Sequence, residues 1–192
     1  MGRIHRCDRV GTSGLRGYRI LIAAALFIAV LAESGCGVLS EGSPAVCPVT
    51  AILDDAGELV RFKSSPPKGP ADVDFNTRMK YISGVCDVTE KEVTMELNTW
   101  MVATRGPANT SGQVNFAYFV AILGKDKTVL TRTKFPMIAK FQRRETKLDF
   151  ADAVTVTIPR KQGDVPKDYI VYLGFEMSPD ELAYNRKKLQ EK

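Results

Sequence analysis

His5 is the only histidine in the 192 residues, and it stands ahead of a long apolar run near the start of the chain. Everything after that run therefore has no imidazole for a Ser–His or Cys–His pair, and none to ligate a metal. Acid–base chemistry would fall to carboxylate pairs, lysine or tyrosine. The candidate pairs are Asp54 with Asp55, and Asp72 with Asp74. The first sits in a turn-like Asp-Asp-Ala-Gly stretch, where aspartate serves local hydrogen bonding. The second shares a solvent face at the entry to a strand, where solvation competes with a weak calcium site. No Gly-x-Gly-x-x-Gly or Walker-type phosphate loop occurs. Asn109-Thr110-Ser111 has the glycosylation pattern, which arises often by chance. Lys140, Arg143, Arg144 and Lys147 could meet an anionic lipid or glycan, or form a solvated turn. Trp100, the only tryptophan, reads as a core residue rather than a sugar-stacking platform. Neither catalysis nor a cofactor nor a metal is expected.

Charge is unevenly spread. The first 35 residues hold Arg3, Arg6, Arg9, Arg16 and Arg19 against Asp8 and Glu33, so of the net +5 only +2 remains from Cys36 onward. A nucleic-acid partner would be expected to find its basic excess in the folded domain, so none is expected here. The arginines precede an apolar run from Ile20 to Ala32, followed by small residues. That order is the one found in a secretory signal peptide. At 13 residues the run falls short of the roughly 20 that a helix needs to span a bilayer. Residues 1–35 are thus expected to be a signal peptide, with a membrane anchor or buried helix as the alternative.

Leu31-Ala32-Glu33-Ser34-Gly35-Cys36 resembles the lipobox of bacterial lipoproteins, in which small residues precede an acylated cysteine. Ser34, Gly35 and Cys36 fit the pattern; Glu33 stands where the family places an apolar residue. Ordinary signal-peptidase cleavage after Ala32-Glu33-Ser34 is the competing reading. The resemblance implies lipidation at Cys36 and anchoring to a membrane. With Gly37 rather than aspartate after the cysteine, it implies the outer membrane, facing the periplasm. Cys7 lies in the leader, which leaves Cys36, Cys47 and Cys86. If Cys36 carries lipid, Cys47 and Cys86 remain as one disulfide pair in an oxidising compartment, closing a loop of about 40 residues. Two buried reduced cysteines are the alternative. Residues 36–46, with two Gly, two Ser and a Pro after Cys36, read as a tether.

The elements that position these residues follow from periodicity. Val49–Leu53 and Leu59–Phe62 suggest a hairpin around Asp54–Glu58. Val73, Phe75, Thr77, Met79, Tyr81, Ser83 and Val85 alternate with polar residues, as in a half-buried strand. Val93, Met95 and Leu97 continue the alternation, and the even-numbered Trp100 and Val102 suggest a bulge near Asn98 or Thr99. Val114–Leu123 is apolar on both faces, as in a central, doubly covered strand. Pro136 places the next strand at an edge. Leu148, Phe150, Val154, Val156 and Ile158 share a face that Asp152 interrupts, and a last strand carries Tyr169, Val171, Leu173, Phe175 and Met177. Seven to nine strands argue for an all-β, antiparallel sandwich over 47–192, immunoglobulin-like in architecture only, since the order Cys47, Cys86, Trp100 is not the Cys-Trp-Cys of true immunoglobulin domains. A C-terminal helix over 179–191 is signalled by Ser178-Pro179-Asp180-Glu181. Leu182 and Leu189 are expected to face the sandwich.

The segments Arg105-Gly106-Pro107-Ala108-Asn109, Tyr118-Phe119-Val120-Ala121 and Leu173-Gly174-Phe175, with the start of the helix, are similar to uncharacterised exported proteins of proteobacteria, which implies no activity. The expected function is that of a non-catalytic envelope lipoprotein, a structural or interaction module for another envelope protein. A glycan- or peptide-binding module, using an aromatic groove around Trp100 or Tyr118, is the alternative. A histidine-free hydrolase with two carboxylates in a cleft comes third.

Overall fold

The computed structural model describes residues 46–191. The expected signal peptide over 1–35, the expected lipidation site Cys36 and the expected tether up to residue 45 lie outside the described residues. The described residues belong to one compact unit. It is an all-β sandwich with a C-terminal helix. The elements are β1 (Val49–Ile52), β2 (Glu58–Phe62), β3 (Val73–Val88), β4 (Glu92–Arg105), β5 (Gln113–Leu123), β6 (Val129–Lys140), β7 (Lys147–Pro159), β8 (Ile170–Phe175) and α1 (Pro179–Gln190). One sheet has the order β1-β8-β5-β6 and the other β2-β3-β4-β7. All pairings are antiparallel except β1 with β8, which run parallel.

The core lies between the sheets and is built from inward-facing residues at alternate positions. Leu59, Phe75, Met95, Leu97 and Met101 come from one sheet; Val114, Phe116, Tyr118, Leu173 and Phe175 come from the other. β5 is central, between β8 and β6, as its two apolar faces require. Its outer face is covered from within its own sheet. The Arg132 guanidinium lies 4.1 Å above the Phe119 ring, and a side chain on Gly174 would collide with that same ring. Pro136 does lie in an edge strand, where its missing N–H breaks no ladder, and β6 runs on past it to Lys140.

Three expectations about strands need correction. β1 and β2 form no hairpin, because they belong to different sheets. The short link between them crosses the sandwich: Phe175 N donates to Ala56 O at 2.7 Å in one sheet, and Met79 N donates to Gly57 O at 2.9 Å in the other. A tight turn shows only that the chain reverses, not which sheet receives it. The bulge lies on β3, not β4. The register moves from Met79 opposite Met101 to Tyr81 opposite Trp100, leaving Lys80 as the extra residue. From there Ile82, Cys86 and Val88 point to the core, while Tyr81 and Val85 turn outward, 52% and 64% exposed. β4 keeps its phase through Met101 and Ala103, which places Trp100 on the outer face and not in the core.

The helix starts as its sequence signals. Ser178 caps it, with Glu181 N donating to Ser178 Oγ at 3.3 Å and Ser178 N donating to the Glu181 carboxylate at 2.8 Å. The docking face is a different one from that expected. Leu182 is half-buried but Leu189 is exposed, and the buried positions are Glu181 and Asn185. The link that crosses between sheets and the free edge of β2 each present a carbonyl, Asp55 O and Glu58 O, away from a neighbouring strand, and a buried carbonyl must find a donor. Asn185 Nδ2 supplies it, donating to Asp55 O at 3.0 Å and Glu58 O at 2.6 Å. Arg61–Glu181 at 3.1 Å and Lys188–Glu58 at 3.0 Å close the contact on either side.

Candidate functional site

Cys47 and Cys86 form a disulfide, with Cα atoms 5.7 Å apart. Cys47 just precedes β1 in one sheet and Cys86 lies in β3 of the other, so the bond ties the two layers together. The chain-entropy estimate for closing such a loop is about 3–4 kcal/mol.

The carboxylate pairs are held by local partners. Asp55 accepts from Arg186 Nε at 3.0 Å, and its neighbour Asp54 is exposed on the same turn. Asp72 and Asp74 do not converge. Asp72 accepts from the Ser64 hydroxyl, and from Ser64 N at 3.2 Å, bonds that hold its carboxyl below the usual range. Asp74 pairs with Lys63 at 3.0 Å. Among the described residues no group of three or more His, Cys, Asp or Glu is placed to hold a metal. Asn109 is buried inside its loop: Nδ2 donates to Gln113 O at 2.7 Å and Oδ1 accepts from Gly112 N at 2.8 Å. Its amide is thus committed to the loop rather than offered for modification.

Of the two aromatics singled out in the sequence, one is outside and one is inside. Trp100 stacks on Tyr81 with ring centroids 4.4 Å apart and planes 11° from parallel. Beside Trp100, in register on β7, stands Ala151, so this aromatic pair sits on an open sheet face next to a small residue. Tyr118 is fully buried, its ring stacked on Phe135 at 5.2 Å. Its hydroxyl donates to Asp152 Oδ2 at 2.8 Å. Burial, together with that anionic acceptor, pushes the phenol well above its ordinary range. Asp152 therefore breaks the apolar face of β7 for a reason: it answers a buried tyrosine on the opposite sheet.

One cleft was not legible in the sequence. At one end of the sandwich, Ile122, Leu130, Ile158, Pro159 and Tyr169 wall a space of about 660 Å³, rimmed by Lys125, Asp126, Lys161 and Asp164. Its residues come from the β5–β6 turn, the end of β7 and the loop before β8, which no local pattern links. The two carboxylates at its rim are each engaged. Asp126 accepts from Thr128 Oγ1 at 2.7 Å and Asp164 from Tyr169 Oη at 2.7 Å. Those hydrogen bonds lower both carboxyls below their ordinary value. Both carboxyls are thus engaged as hydrogen-bond acceptors, and neither is raised in the way that the acid of glycoside hydrolysis is.

The basic cluster is broader than the four residues singled out. Residues 125–147 carry eight Lys or Arg against Asp126 and Glu145, so a net +6 gathers on β6 and its flanking turns, in a chain with only +2 from Cys36 onward. Arg132, Lys134, Ile138 and Lys140 are all exposed on this strand. No described helix is long and apolar enough to cross a membrane. The sequence matches no protein-family model and no curated protein at a significant level.

Proposed function

We propose that this chain is an exported lipoprotein of the bacterial cell envelope, anchored through Cys36, whose sandwich serves as a non-catalytic structural or interaction module at the outer membrane. The observation that carries the reading is the Cys47–Cys86 disulfide. Disulfides persist in oxidising compartments, and this one uses both cysteines beyond Cys36. The odd cysteine is then the one that ends the lipobox-like segment. Exposed apolar residues on the outer face of the β2-β3-β4-β7 sheet, such as Val85 (64%) and Tyr81 (52%), supply contact surface for an envelope partner.

The test is fractionation of cells expressing the wild type and Cys36→Ala. The wild type is expected in the membrane fraction and extractable only by detergent, even in about 0.5 M salt, where surface electrostatics are largely screened. Cys36→Ala is expected in the salt-washed soluble fraction. Equal release of both proteins by salt would contradict anchoring.

A second reading, a glycan-binding module, draws on the Tyr81–Trp100 stack beside Ala151, an aromatic surface of the kind on which sugar rings pack. The other aromatic considered for it, Tyr118, is sealed in the core and is no part of such a surface.

A further inference from the structure

We infer that the outer face of the β1-β8-β5-β6 sheet is the side of the domain that lies against an anionic phospholipid surface. The inference deepens the anchored reading above and rests on it for the nearness of a bilayer. The register places Val49, Ile170, Leu123 and Val129 in one row across all four strands. At the ends of that row Val49 is 56% and Val129 61% exposed. Val46, three residues before Val49 in the chain and ten after Cys36, is 62% exposed. An apolar row running from the entry point across a whole sheet is a surface that a tethered domain can press into headgroups.

Charge selects the kind of surface. Lys127 sits in the turn next to Val129, and Arg132, Lys134 and Lys140 follow along β6. Alternation puts Lys134 and Lys140 on the outer face, because Phe135, Met137 and Ala139 pack inward. Arg132 is already engaged, paired with Glu176 at 2.5 Å and laid over Phe119. None of the ion pairs among the described residues uses Lys127, Lys134 or Lys140. Lysines on an edge strand also discourage strand pairing. That role accounts neither for Lys127 in the turn nor for the apolar row beside it. Basic residues interleaved with exposed apolar ones fit anionic headgroups over an acyl layer.

The test uses the chain from residue 36 with Cys36→Ser, so that no acyl group contributes, and vesicles of phosphatidylethanolamine and phosphatidylglycerol at about 3:1 beside phosphatidylcholine alone. Co-sedimentation is expected with the anionic vesicles only, and it should weaken as salt rises. Lys134→Glu with Lys140→Glu is expected to weaken binding by about fivefold or more per lysine, and Val49→Ser with Val129→Ser to weaken it again. All four positions are on the surface, and an unchanged melting curve verifies the fold of each variant. Equal binding to both vesicle types, binding untouched by the charge reversals, or no binding to anionic vesicles at low salt would overturn the inference. Acylation of Cys36 is read separately, from the mass of the membrane-purified protein. A lipidated chain with a vesicle-inert domain fails the face alone, whereas a vesicle-binding domain with an unmodified Cys36 fails the anchor alone.

Discussion

Tyr118 and Asp152 show how a polar pair can be written into an apolar core. The phenol is sealed at the centre of the sandwich with its hydroxyl on the carboxylate. Such a bond to a charged group is worth about 1.5–3 kcal/mol, and less here because Asp152 is half exposed. Tyr118→Phe is expected to lower stability by about 1–2 kcal/mol at neutral pH. The same pair sets the response to alkali. The folded phenol is held well above its ordinary value of 10.0, so the unfolded chain loses that proton first as pH rises. The stabilisation is complete below about 10 and is lost above it. Denaturant melts from neutral pH to about 11 should therefore show a steeper decline for the wild type than for Tyr118→Phe. Parallel declines would show that the proton is not held by the fold. On the acid side Glu58 acts in the opposite sense. Burial works to raise its carboxyl, but hydrogen bonds from Asn76, Lys188 and Arg78 outweigh it and hold the group low. Its contribution is present above the ordinary carboxylate range and fades as pH falls through it.

The helix is held by a polar stripe where an apolar one was expected, and the reason lies in how β1 joins β2. A link that crosses from sheet to sheet gives up ladder bonds, and Asn185 answers one carbonyl of the link and one on the free edge of β2 from the helix. Asn185→Leu is expected to cost about 1–3 kcal/mol by stranding those carbonyls, whereas Leu189→Ala on the exposed side should change little. A melt in which Leu189→Ala is the more damaging would refute this account of docking. The start of α1, the central place of β5 and the edge place of β6 were legible because capping residues, two-faced apolarity and Pro136 act locally. The side chains outward from Tyr81 were not. Odd-numbered apolar residues run from Val73 to Val85, and nothing local marks Lys80 as the residue left over. Ile82, Cys86 and Val88, all even-numbered, were the only hint of the change in phase. In β4 both faces are apolar around Trp100, so alternation could not say which one the core would take. The candidate aromatic surface followed the same fate, because Tyr81 joins Trp100 only once that bulge is placed.

Taken whole, the domain is two sheets tied by Cys47–Cys86, with one face that is apolar at the chain's entry and basic along β6. Cysteine count pointed to the Cys47–Cys86 pairing from the sequence, because an odd thiol beyond the expected leader has to be accounted for. The basic face was hidden by a small net charge, since acidic residues elsewhere offset it. The end cleft, drawn from three distant segments, depended on topology that no short pattern encodes. Anchoring through Cys36 is the claim on which the functional reading stands, and the intact mass of protein purified from membranes without reductant tests it most directly. The expected mass is that of a chain beginning at an acylated Cys36, less two hydrogens for the disulfide. An unacylated mass beginning at Gly35, or at a residue upstream of it, would contradict the lipoprotein and leave a soluble exported domain in its place.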